Sequence, residues 1–369
     1  MIKILWICGS GVCGGAERAM LRLLELLRDR GHGVEALCRP WSAVERALTA
    51  SRMRAYTAPL GGPVGLRLIP AVRRVLRSAR PDLVLVSASG DWLPVCAACR
   101  RSRARLVLVR HMALPLSRLL LWVVRRRADA VVAVSEVVRA GLVGLGKLSP
   151  ELVQVIHNPV RFPPRATLPT SDERIRARAA FGLDPAGYWV GFFGGLDAAK
   201  GIRHVLSAVD AANRRLGRTQ LLICGRQGSG RFEELTAAFA AAGRLHYLGE
   251  IDRVSEALTA CDVVVMATLS ALSEALPLTL MEAMACGTPV LAYATGGIPE
   301  LIGSDGQAGR LARPDDANDL AARLTELLAD PVARERLADN ALERLRQRYA
   351  PQRAAEQYEE LFLKLCGTR

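Results

Sequence analysis

Residues 272–300 read LSEALPLTLMEAMACGTPVLAYATGGIPE, and the fold class turns on this stretch. A loop carrying Glu274 passes through Pro277 into a short helix carrying Glu282, which Gly287 is placed to stop. A buried strand follows over 289–293, then the turn Thr295-Gly296-Gly297 and a second helix start at Ile298-Pro299-Glu300. Pro277 and Pro299 suit the first turn of a helix, where a missing N–H costs little. Both helices would open at strand ends, with free amides and the positive end of a dipole. Such an end is an anion site, and phosphate is its commonest tenant. The two carboxylates cannot coordinate phosphate, so they are assigned to sugar hydroxyls. A diphosphate with a sugar on each side satisfies the whole arrangement.

The pattern E-A-L-P-x4-E-A-M-A-x-G-x-P-V followed by G-G-I-P-E resembles the retaining nucleotide-sugar glycosyltransferases of glycosyltransferase family 4, which have the GT-B fold. Glu274-x7-Glu282 matches their E-x7-E element. The resemblance implies an α/β chain of two facing Rossmann-like, doubly wound domains, with the active site in the cleft.

Size and charge agree with two domains. The chain has 369 residues, enough for two good cores, and a formal net charge of +14. That charge is uneven: residues 1–165 carry 27 Lys and Arg against 10 Asp and Glu, and residues 166–369 carry 23 against 26. Basicity in the first half points to an anionic partner there. The nine cysteines lie in apolar segments, and no secretory signal precedes the first strand, Ile2 to Ile7. A reduced, cytoplasmic setting is expected. Cys96-x-x-Cys99 has metal-ligand spacing without a second pair, so both are read as helical core residues. No apolar run reaches the roughly 18 residues that span a bilayer.

Along the chain, strand one ends at Cys8 and a loop runs Gly9 to Glu17 into a helix over 18–30. Gly9-x-Gly11-x-x-Gly14 nominally matches the dinucleotide fingerprint, which also wants an acid at the end of strand two. Arg39 stands there instead. A nicotinamide-dependent oxidoreductase is therefore the weaker reading. Gly14-Gly15-Ala16-Glu17 looks like the N-terminal signature of the same transferase family, whose glycine loop faces the donor diphosphate. Basic helices are expected over 66–80 and 96–105, and a strand over 106–109 leads into Arg110-His111. His111 resembles the family's cleft histidine near donor sugar and acceptor; a solvated loop histidine is the competing reading. Ala128 to Glu136 and Asn158-Pro159-Val160 resemble the family's strand-to-helix segment and N-G-V turn.

Residues 161–180, with prolines at 163, 164 and 169, read as a linker. YWVGFFGGLDAAKGI, from Tyr188, then resembles the family's F-x-G-R-L-x3-K-G motif. Gly194 fits that motif, and Lys200 matches the lysine that neutralises donor phosphate. Gly195 replaces the usual arginine, whose fork normally grips the diphosphate. Arg226 and Arg203 are the candidate substitutes. The expected domains are 1–165 on the acceptor side, 166–350 for the donor, and a helix over 351–369 packing back on the first.

The resemblance thus implies a metal-independent hexosyltransferase-type enzyme with no cofactor, acting in polysaccharide, lipopolysaccharide or glycolipid synthesis. Its donor would be a UDP-, GDP- or ADP-sugar, held by Gly14, Gly15, Gly194, Gly195, Lys200 and Arg226. The stretch Leu276-Pro277-Leu278-Thr279 and the carboxylate of Glu282 complete the donor site. Glu274 and His111 would address the sugar and the acceptor, a glycan or lipid-linked glycan. Leu119 to Val124, with its Trp122, lies between Arg118 and Arg125-Arg126-Arg127. Two readings compete for it: a core helix, or an interfacial segment meeting an anionic membrane surface as a peripheral protein. Nucleic acid is not expected, because the arginines lack interleaved aromatics for base stacking.

Overall fold

The computed structural model describes residues 1–60, 68–160, 164–227, 232–272 and 274–367, without the side chains of residues 232, 233 and 235. The start of the expected helix over 66–80, the first residues of the expected linker and the glycines at 228 and 230 lie outside the described residues. The chain divides into two compact units, Met1–Arg161 with Tyr349–Arg369, and Phe162–Arg348.

Among the described residues the first unit holds seven strands: β1 (Lys3–Cys8), β2 (Gly33–Cys38), β3 (Arg54–Thr57), β4 (Leu83–Val86), β5 (Arg105–Arg110), β6 (Ala130–Ala133) and β7 (Val153–Val155). They are ordered β3-β2-β1-β4-β5-β6-β7, and every pairing is parallel. Runs such as Leu-Val-Leu-Val in β4, buried at all four positions, are what a sheet covered on both faces requires. Helix α1 (Gly15–Asp29) crosses from β1 to β2. Leu23, Leu24 and Leu27 lie on its buried face. The last helix, α15 (Pro351–Gly367), packs on α1. Glu359 of α15 accepts from Arg30 Nε at 2.9 Å and lies 2.9 Å from His32 Nε2. His32 Nδ1 meanwhile accepts from Ile2 N–H at 3.3 Å.

The second unit repeats the plan with β8 (Tyr188–Phe193), β9 (Thr219–Cys224), β10 (Leu245–Tyr247), β11 (Val263–Met266), β12 (Val290–Tyr293) and β13 (Arg310–Ala312). Their order is β10-β9-β8-β11-β12-β13, again parallel throughout. Helices α8 (Ile202–Leu216) and α13 (Ala317–Ala329) pack together over this sheet through Val205, Val209, Leu320 and Leu324, all fully buried. Each such side chain contributes about 1.5–3 kcal/mol of transfer free energy.

In each unit the chain order reverses beside the first strand, between β1 and β4 and between β8 and β11. Loops leaving those strands at their carboxyl ends diverge, and ligands of open α/β sheets bind in the crevice they leave.

Two sequence expectations need correction. The stretch expected as linker contains a helix, α7 (Ser171–Ala179). Thr170 Oγ1 accepts from Glu173 N–H at 3.2 Å while Glu173 Oε2 accepts from Thr170 N–H at 2.8 Å, a reciprocal cap that outweighs the prolines before it. The helix expected over 96–105 is α4 (Trp92–Cys99). Ser102 N–H donates back to Cys99 carbonyl at 2.9 Å, which turns the chain out of the helix toward β5. Both Cys96 and Cys99 are buried in α4, and burial pushes each thiol up to about 12.

Candidate active site

The second unit places Lys200 and Glu274 on the two loops that leave β8 and β11. After β8 the chain passes Gly194 and Gly195 into a single turn of 3-10 helix, Ala198–Lys200. Gly201 then caps α8 with φ +71°. A Cβ there would lie 2.0 Å from the carbonyl oxygen of Ala267, so only glycine lets the turn press against the end of β11. Leu269 N–H donates to the Ala199 carbonyl at 2.9 Å, fastening the two loops together. Their side chains meet as a result. Lys200 Nζ is 2.5 Å from Glu274 Oε1, and Thr268 Oγ1 donates to the same oxygen at 3.0 Å. Both partners are mostly covered, with 29% and 18% of their side chains exposed.

Glu274 is also fixed through its backbone, since its carbonyl accepts from Gly297 N–H at 2.7 Å. Residues 275–277 are buried and lead into α11 (Leu278–Ala285), on which Glu282 sits half-buried. Pro277 is the N-cap of α11 rather than part of its first turn, with φ −77° and ψ 108°. The amides of Leu278 and Thr279 thus precede the helical ladder. The second expected anion-binding helix, α12 (Ile298–Ile302), has five residues, so its dipole is small.

Gly194 and Gly225 come together backbone to backbone. A Cβ on Gly225, at φ +145°, would lie 1.9 Å from the Gly194 carbonyl oxygen. Leu196 N–H donates to the Arg226 carbonyl at 3.1 Å. Arg226 therefore enters the region of Gly195 from the neighbouring strand, with an exposed side chain. Arg203 is exposed on α8.

In the first unit, Gly14 is the N-cap of α1 and Gly15 its first residue. Glu17 Oε2 accepts from Gly14 N–H at 3.0 Å. The φ of Gly14 is −81°, an ordinary value, so no left-handed backbone calls for glycine there. His111 follows β5 and is half-buried. Its Nδ1 lies 3.5 Å from Asn158 Nδ2, and its Nε2 is buried without a hydrogen-bond partner. Burial, with Arg110 beside it, pushes the imidazole down to about 4, so it is neutral near pH 7. A neutral, partly unsatisfied ring can accept or donate one hydrogen bond to a sugar hydroxyl. Arg110 itself is buried and donates to Ser89 Oγ at 2.9 Å and to the Leu114 carbonyl at 2.6 Å.

Two residues at the carboxyl edge of this sheet, Asp91 and Trp41, were not anticipated, and a third, Asn158, was read only as part of a turn. Asp91, 1% exposed, accepts from Gly9 N–H at 2.6 Å and anchors the glycine loop from the β4 side. Asn158 is buried beside His111. Trp41, after β2, is 90% exposed at φ +60°, a conformation bulky residues rarely adopt. No local pattern marks Asp91, because it acquires its place through Gly9, 82 residues away in the chain.

Comparison with known proteins agrees with this geometry. Residues 173–344 match the family described as Glycosyl transferases group 1, and residues 13–162 match Glycosyltransferase Family 4. The chain is 32% identical over 257 residues to an alpha-maltose-1-phosphate synthase of Mycobacterium tuberculosis, covering 65% of this chain and 64% of that protein. It is 28% identical over 354 residues to a phosphatidyl-myo-inositol mannosyltransferase of Mycolicibacterium smegmatis, covering 90% and 86%. The crystal structure of Anabaena HepE in complex with UDP superposes with a TM-score of 0.85 at 23% identity, over 98% of this chain and 100% of that one. Two parallel-sheet units of this topology, with both family segments in order along them, make the chain a member of the GT-B glycosyltransferases of family 4.

Proposed function

We propose that this protein transfers a sugar from a nucleotide-diphosphate sugar to a hydroxyl acceptor, with retained anomeric configuration and without a metal. The observation that carries the reading is the Lys200–Glu274 contact of 2.5 Å at the reversal point of the second sheet. Leaving-group charge is what the reaction must stabilise. On donor binding Lys200 exchanges Glu274 for the diphosphate, joined by the first amides of α11. Glu274, released from the lysine, accepts from donor sugar hydroxyls, and Glu282 from the ribose. Arg226 supplies the cationic fork that Gly195 lacks. The UDP and UDP-glucose complexes of Anabaena HepE favour a nucleotide-sugar of this kind. In the first unit, neutral His111 can meet a sugar or acceptor hydroxyl.

The acceptor belongs to polysaccharide or glycolipid synthesis, and a lipid-linked one is favoured by two observations. The mycobacterial relative is a phosphatidyl-myo-inositol mannosyltransferase. In this chain, helix α5 (Arg118–Arg127) buries Leu121 and Val124 but leaves Leu119 61% and Trp122 51% exposed. Arg126 lies 4.6 Å over the Trp122 ring. One face of α5 is thus core and the other is apolar and cationic, as a peripheral membrane contact needs. Arg125 is not available for head groups, because it donates to the carbonyls of Lys147 and Gly146 at 3.1 and 2.8 Å.

The donor assignment is tested by titration and turnover. Glu282→Gln should weaken both free nucleotide and nucleotide-sugar, as ribose contacts are common to both. Glu274→Gln should spare the free nucleotide yet lower sugar consumption at least tenfold. Two variants indistinguishable from wild type in both measurements would remove the assignment.

A further inference from the structure

The sheet of the first unit has a second charged edge that the proposed transfer does not use. At the amino ends of β4, β5 and β6, two hollows of about 570 and 540 Å³ share Ser102, Arg103 and Ala104 as a common wall. Arg100, Arg103, Arg105, Arg126 and Arg127 line the first. Arg73, Arg77, Arg80, Arg101 and Arg103 line the second. Asp129 and Asp82 are the lining carboxylates, and both are committed. Asp129 accepts from Arg105 Nη1 at 2.9 Å and from Leu106 N–H at 2.7 Å, and Asp82 from Lys3 N–H at 2.9 Å. Among the described residues, Arg105 pairs with Asp129 and no ion pair holds the other lining arginines. Arg73 and Arg105 each keep a buried Nε–H without an acceptor, which costs free energy until one is supplied.

We propose that this double hollow binds a linear polyanion, a chain of closely spaced phosphates, at a site separate from the transferase site. The separation follows from topology. Arg100, Arg101 and Arg103 precede β5 and His111 follows it, so the six residues of the strand, about 20 Å, lie between. Two hollows with one arginine wall in common fit an extended anion that fills both, rather than a single phosphate. A membrane surface fits less well: Arg126 packs over the exposed Trp122 of α5, but no large exposed hydrophobic side chain itself lines either hollow. A nucleic acid fits less well too, since no aromatic side chain lines them.

Long-chain inorganic polyphosphate is the probe, added to the full chain at low salt. Binding should strengthen at least tenfold from monophosphate to the long chain, and weaken steeply with added salt. Arg101→Glu with Arg103→Glu, both exposed, should weaken it at least tenfold without altering nucleotide-sugar binding. The charge-matched pair Arg336→Glu with Arg348→Glu on helix α14 (Pro331–Arg348) should change it less than twofold. Several results would overturn the proposal: no binding by wild type, monophosphate bound as tightly as the long chain, or equal losses in the two double variants. So would phosphatidylglycerol vesicles or single-stranded DNA bound more tightly than polyphosphate, through Arg101 and Arg103.

Discussion

Glu274 shows how much of the site one residue can hold in order. Its carboxylate meets Lys200 and Thr268, and its carbonyl meets Gly297. The Glu274-x7-Glu282 spacing and Lys200 were legible in the sequence because each sits in a motif of neighbouring residues. Asp91 was not, since its partner Gly9 lies 82 residues away in the chain, and Asn158 was legible as part of a turn but not as the neighbour of His111, 47 residues away. His111 carries a pH signature. Its imidazole falls from the ordinary value of 6.5 to about 4 in the folded protein, chiefly by burial. The unfolded chain takes up that proton first as pH falls. The His111 contribution is therefore intact above pH 6.5 and is lost between 6.5 and 4, by on the order of 2 kcal/mol. Urea unfolding at both pH values should show His111→Asn losing less stability on acidification than wild type. Equal losses would mean that the ring titrates normally.

At the scale of elements, the buried strands and glycine turns were readable, and the exceptions have physical causes. Helix α7 was missed because Pro163, Pro164 and Pro169 suggested an open linker, although Thr170 and Glu173 spelled out a capping box at its start. The end of α4 was misplaced because Arg100 to Arg105 has no helix breaker; the turn is made by Ser102, whose Oγ accepts from Ala104 N–H at 3.1 Å. Gly201 belongs to this scale as well, since it places Lys200 by letting one turn close on β11. Gly201→Ala forces a Cβ toward the Ala267 carbonyl and an L-residue into positive φ. The backbone alone costs about 1–2 kcal/mol. A fall in unfolding free energy of at least that size is expected, with donor affinity reduced at least fivefold because Lys200 shifts. Unchanged stability and affinity would show that the turn accommodates a side chain.

For the molecule as a whole, the division of charge follows the division of chain. Residues 1–165 hold the cationic excess, and within them it concentrates on α5 and on the arginine hollows. Among the described residues no helix is long and apolar enough to cross a membrane. The membrane reading of α5 predicts co-sedimentation with phosphatidylglycerol liposomes at low salt, lost at high salt and with neutral lipid. Leu119→Glu with Trp122→Glu should abolish it while sparing donor binding; wild-type protein that stays in the supernatant would favour a soluble acceptor. The central claim is that the unit Phe162–Arg348 takes a nucleotide-diphosphate sugar on Lys200 without a metal. Calorimetric titration with UDP-, GDP- and ADP-sugars in EDTA tests it most directly. One of these should bind with unit stoichiometry to wild type and at least tenfold more weakly to Lys200→Ala. Binding of none of them, or binding indifferent to Lys200, would contradict it.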